Sequence, residues 1–138
     1  MSYPRASPMP AYYAGDIEDE TRRNRDYRRV LYTAPDRSMQ LVVMCITTED
    51  RGIEREIHDE TQLFRVEEGH GTVLMARANE PLYPGALIVV PGGTEHEVLG
   101  ESSREALQLY TIYTPAHHPD GTCHHRRSDA DAAHEKEK

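Results

Sequence analysis

At 138 residues the chain fits one domain with a modest core, and 24 acidic against 16 basic residues leave a formal charge of −8. A surface this acidic repels nucleic acid and anionic membrane, and no apolar run approaches the roughly 18 residues a spanning helix requires. Apolar residues make up 37% and aromatics 7%, with no Trp, and the shortfall from an ordinary globular composition lies in the two ends.

Residues 1–15 hold three prolines among small residues and read as a flexible arm; the opening MSYPRASPMP lacks the apolar stretch of a signal peptide. Next, DIEDETRRNRDY (16–27) places acids before bases, the order that suits a helix dipole, but offers only a thin apolar face. A surface turn or a helical arm is the expectation there, so residues 1–28 form an N-terminal arm.

From Arg29 the chain changes character. Strands are expected at 29–34, 39–48, 53–58, 62–67, 71–77, 86–90, 95–100 and 105–114, each rich in β-branched residues, Leu or Tyr. The punctuation is specific: Pro35-Asp36, Glu68-Gly69, Pro84-Gly85 and Pro91-Gly92-Gly93. Eight short strands with tight turns predict an all-β sandwich or barrel over 29–116. Residues 117–138 are His-rich and then charged (DADAAHEKEK), too poor in apolar side chains to pack, with a disordered end expected.

Cys45 sits inside LVVMCITT and Cys123 in the polar tail, contexts that do not suit a disulfide between them. The expectation is a reduced, cytoplasmic setting. Cys45 is read as a small core hydrophobe, and the run Leu41 to Ile46 as core.

Two segments concentrate candidate chemistry. In EREIHDETQLFRVEEG (54–69), strand alternation puts Glu56 and His58 on one face, and Gln62 opens the next apolar run. In GALIVVPGGTEHEVLG (85–100), His96 follows the Pro-Gly-Gly turn. The second segment matches G-x5-P-x-G-x2-H-x3-N, the second motif of the cupin superfamily, at every position but the last, where Gly100 replaces Asn. The first, Glu56-x-His58-x3-Gln62-x6-Gly69, resembles the first cupin motif, H-x-H-x3-E-x6-G, in spacing, with Glu56 for a His and Gln62 for the Glu. An alternative register from Gly52 through His58 and Glu60 puts Phe64 at the acidic position, which binds no metal, and is set aside.

The resemblance implies a cupin jelly-roll β-barrel, of the small type that is similar to mannose-6-phosphate-isomerase-like cupins. It implies one divalent transition metal (Fe, Mn, Ni, Co or Zn) held by Glu56, His58, Gln62 and His96. Typical cupins use three imidazoles and one carboxylate; two imidazoles, one carboxylate and one amide oxygen keep the same ligand charge. Phe64, Val66, Val98, Leu107 and Leu109 are expected as an apolar floor, while Arg65 alternates outward. The segment Tyr113 to His124 resembles the "Y-x-P-x-H-H-P-D-G-T-x-H" stretch that follows the last strand in some small cupins, which implies packing against the barrel or a partner subunit. The expected function is dioxygenase-like or isomerase/lyase-like chemistry on a small polar organic molecule, or non-catalytic binding of a small molecule or metal. A homodimer is the expected assembly. No residue is singled out as catalytic.

Overall fold

Charge order and capping make the first helix, α1 (Ile17–Arg23). The Asp16 side chain accepts a hydrogen bond from the Asp19 amide at 3.0 Å, acids fill the first turn, and Arg22 and Arg23 close the last. Carbonyls at its far end are taken up by Gln108, whose Nε2 donates to Thr21, Arg22 and Asn24 at 3.3, 2.9 and 3.1 Å. The segment is therefore a helix fastened to the sheet. The structure, a computed structural model, describes residues 11–101 and 105–137, so the first ten residues of the expected flexible arm lie outside the described residues.

Ten strands follow: β1 (Arg28–Thr33), β2 (Gln40–Ile46), β3 (Ile53–Glu56), β4 (Thr61–Glu68), β5 (Gly71–Met75), β6 (Ala78–Leu82), β7 (Leu87–Val90), β8 (His96–Gly100), β9 (Leu107–Thr114) and β10 (Cys123–His124). They form two antiparallel sheets, one ordered β10-β1-β2-β9-β4-β7 and the other β3-β8-β5-β6. The inner faces of these sheets enclose the core of a jelly roll.

All seven residues of β2 are buried, as its unbroken apolar run requires. Val42, Met44 and Ile46 belong to the core, and α1 packs against this strand. The expected apolar floor is in place, with Phe64, Val66, Val98, Leu107 and Leu109 all at most 1% exposed. Each such side chain contributes about 1.5–3 kcal/mol through removal of apolar surface from water. Cys45 is buried, Cys123 is exposed, and both are free thiols. Arg65 is half-buried and lies on the side of β4 opposite the buried Phe64 and Val66.

The structure departs from the sequence reading in four places. β3 ends at Glu56, so His58 lies in the connection that follows instead of on a strand face shared with Glu56. β6, ANEPL, is exposed except at Leu82, so no alternation marks it; its Pro81 pairs with Thr72 at the edge of the smaller sheet, where a missing N–H breaks no ladder. β10 is only two residues long and pairs with the start of β1. The charged terminus, expected to be disordered, forms α2 (Arg127–Glu137), and Ala130 at 6% exposure joins the core. Polar anchors compensate for its poor apolar content: Asp50 accepts from the Arg127 amide at 3.0 Å and pairs with Arg126 at 3.3 Å. No helix of the described residues is long and apolar enough to cross a membrane.

Candidate functional site

Backbone contacts between two connections bring the candidate residues together. The β3–β4 connection carries His58, and the β7–β8 turn is Pro91-Gly92-Gly93. Gly93 donates its amide to the His58 carbonyl at 2.8 Å, and Gly92 donates to the Thr61 hydroxyl at 3.2 Å. Only glycine permits this docking. A Cβ on Gly92 would stand 2.0 Å from the Asp59 carbonyl oxygen, and Gly93 adopts a φ of +85°. The docked turn delivers His96 to the start of β8, where it pairs with Glu56 of β3.

At the centre, Gln62 Oε1 stands 3.0 Å from His58 Nε2 and 3.2 Å from His96 Nε2. The Gln62 amide nitrogen donates to Thr111 Oγ1 at 2.9 Å, which aims the oxygen at the imidazoles. His58 Nδ1 donates to the Glu60 carbonyl at 3.0 Å and His96 Nδ1 to the Thr94 carbonyl at 2.8 Å. In neutral imidazoles those bonds put the proton on Nδ1 and leave a lone pair on each Nε2. With the amide oxygen turned this way, three lone pairs converge with no hydrogen between them. One donor atom each from Glu56, His58 and His96 lies within 4.8 Å of the others, the spacing of a shared cation. Gln62 and His96 are 1% and 2% exposed, so water does little to relieve the repulsion.

All four expected ligands thus meet at one point, over the floor of Phe64, whose ring centroid is 6.1 Å from that of His96. The arrangement also recruits residues that the sequence reading leaves outside the site. Glu60 binds His58 Nδ1 at 3.4 Å and His117 Nδ1 at 3.2 Å, one carboxylate oxygen to each. His117 stacks on Tyr113 with centroids 5.1 Å apart, and its ring lies 4.9 Å from that of His58. The sequence signal for this wall was the Tyr113 to His124 stretch, which packs back on the barrel.

Burial works against the Glu60 carboxylate, but its own backbone amide, the hydrogen bond and charge of His117, and the charge of His58 outweigh it and hold its carboxyl below the ordinary value. Burial pushes the Tyr113 phenol well above its ordinary value, so it stays protonated. His118, whose Nε2 is 3.3 Å from the Tyr113 hydroxyl, is driven down to about 2 by burial first and the nearby Arg28 charge second. It is a neutral imidazole at physiological pH.

Glu56, His58, His117 and His118 line a cavity of about 390 Å³ that Ala130 and His134 of α2 also border. A second group of possible ligands, Asp26, Cys123 and His125, lies at the outer surface with Cys123 and His125 exposed.

Residues 42–113 match the family model described as the cupin domain. An uncharacterised protein of Acanthamoeba polyphaga mimivirus is 39% identical over 119 residues, covering 83% of this chain and 72% of its own length. YrkC of Bacillus subtilis is 36% identical over 131 residues, or 90% of this chain and 68% of its own. The crystal structure of BH2720 from Bacillus halodurans superposes with a TM-score of 0.83 at 38% identity, over 89% of this chain and 96% of that one.

Proposed function

The chain belongs to the cupin family, and on that premise we propose that it holds one divalent transition metal on Glu56, His58, His96 and Gln62 and acts on a small polar organic molecule in the adjoining cavity. The convergence of the His58 and His96 Nε2 lone pairs on Gln62 Oε1 carries this reading. Uncharged acceptors at 3.0 and 3.2 Å repel one another unless a cation or a proton lies between them. Two imidazoles with one carboxylate suit several first-row metals, including Fe(II) in sites with open positions. When bound, such an ion supplies Lewis acidity, or O₂ activation if it is redox-active.

The chain's own residues do the rest. The carbonyls of Glu60 and Thr94 fix the imidazole tautomers, Thr111 fixes the amide, and the Phe64 floor keeps water from beneath. The neutral His118, backed by the Tyr113 hydroxyl, offers hydrogen bonds at the cavity wall without adding charge. The reaction class follows the metal: dioxygenase-like with Fe, isomerase- or lyase-like with Zn, Mn or Ni.

A second reading, a metal-free binding module, has its own support. Turned over by 180°, the Gln62 amide would donate to both Nε2 atoms and accept from the Thr111 hydroxyl, satisfying every group. Elemental analysis of full-length protein, purified without chelators, separates the two. About one metal per chain, lost in both His58→Ala and His96→Ala and kept in His125→Ala, is the expected result. Metal that persists in both barrel variants, or that fails to bind on reconstitution, would move the assignment to the binding module.

A further inference from the structure

Arg28 is a buried charge. It begins β1, where the alternation Arg28 buried, Arg29 exposed, Val30 buried turns it to the same side as a core residue. It is only 8% exposed, yet its Nε is buried without a hydrogen-bond partner. No carboxylate of residues 11–101 or 105–134 stands within ion-pair distance of its guanidinium. Its ring contact is with Tyr27, at 5.3 Å from the centroid, which does not replace a counter-ion. A buried, unpaired cation costs several kcal/mol and is retained when something else supplies the anion.

Arg28 lines the same cavity of about 390 Å³ as Glu56 and His58. From this geometry we infer that the cavity takes a small organic monocarboxylate whose carboxylate docks on Arg28 while the rest of the molecule reaches towards the His58 side. The inference rests on the reading of that cavity as the working pocket. A guanidinium fork matches the two oxygens of a carboxylate. The other arginine of the cavity wall, Arg55, is already paired with Glu95 at 3.0 Å and Glu97 at 3.4 Å. Glu54 and Asp131 also border the cavity, so a dianion such as a phosphate monoester docked on Arg28 would meet two further carboxylates. A single negative charge fits.

Two measurements on full-length protein test this. The first needs no ligand. Arg28→Met keeps a long stem over Tyr27 and removes the unpaired charge, so the unfolding temperature should rise; a fall would mark Arg28 as a structural group and overturn the inference. The second is calorimetric titration with glycolate, lactate, pyruvate and 3-hydroxybutyrate, each beside its neutral amide. Wild type should bind at least one acid more than about tenfold tighter than its amide, a margin of about 1.4 kcal/mol, and Arg28→Met should lose that margin. Equal binding of acids and amides by wild type, or an undiminished margin in Arg28→Met, would overturn it. Metal content is measured on the same samples: Arg28→Met should retain the wild-type value, and loss of metal from wild type itself would instead count against the metal-centre reading.

Discussion

Gln62 Oε1 lies 3.0 Å from Nε2 of His58, and its own amide nitrogen is held by Thr111 on β9. The amide is therefore oriented by one strand and delivered by another, so its oxygen faces the imidazoles without depending on solvent. As a proposed ligand it is neutral and weak beside Glu56. Gln62→Ala should lower metal affinity about tenfold, within the range seen when supporting groups are removed, and saturating metal should still restore one ion per chain. Competition with a chromogenic chelator reads this directly, and unchanged affinity would place Gln62 outside the coordination shell.

Gly92→Ala should disrupt the site without touching a ligand. The new Cβ would sit 2.0 Å from the Asp59 carbonyl oxygen, a backbone atom that cannot swing aside as a side chain can. The turn must lift from the His58 connection, breaking the Gly93 to His58 bond and displacing His96. A destabilisation of about 2 kcal/mol or more, with loss of metal binding, is expected from denaturant unfolding and metal titration. An alanine variant with wild-type metal affinity would show that the docked turn does not position His96.

Much of this was legible in the sequence. The Pro91-Gly92-Gly93 turn before His96 and the pair Glu56 and His58 point to the candidate site through their resemblance to the two cupin motifs. The apolar floor followed from the resemblance to cupins, with strand alternation choosing its residues. Glu60 was not legible, and His117 only through the resemblance of the Tyr113 to His124 stretch, since their pairing depends on a loop and a tail folding against each other, and no period encodes that. The α2 helix was hidden for a different reason. Its stability comes from Asp50, 77 positions away from Arg127, rather than from its own apolar face. β6 escaped because an exposed edge strand has no buried face to betray it.

Phe64 is the one phenylalanine in the chain, fully buried, and forms the ground on which His96 rests. Phe64→Ala should cost about 3–5 kcal/mol, the usual penalty for a large buried ring replaced by a methyl. Because the cavity would open beneath His96, the variant should also bind metal more weakly even when folded. Unfolding in guanidinium gives the first quantity; a cost under about 1 kcal/mol would mean that the floor collapses onto the gap instead of leaving it open.

Asp50 should make the docking of α2 pH-dependent. Burial disfavours its charged form, yet the amides of Arg127 and Thr47, the Thr47 hydroxyl and the Arg126 charge together hold its pKa below the ordinary value of 3.8. A carboxyl depressed in the folded state contributes stability that is fully present above 3.8 and is lost as pH falls through the lower folded value. At neutral pH, Asp50→Asn should cost about 1–3 kcal/mol, since it weakens hydrogen bonds to a buried charged acceptor and removes its pairing with Arg126. The difference between wild type and variant should narrow on acidification below 3.8, and amide exchange in α2 should quicken in the variant at neutral pH. A gap that stays constant down to strongly acidic pH would show that the hydrogen-bonding shape of Asp50, not its charge, secures the helix that borders the cavity.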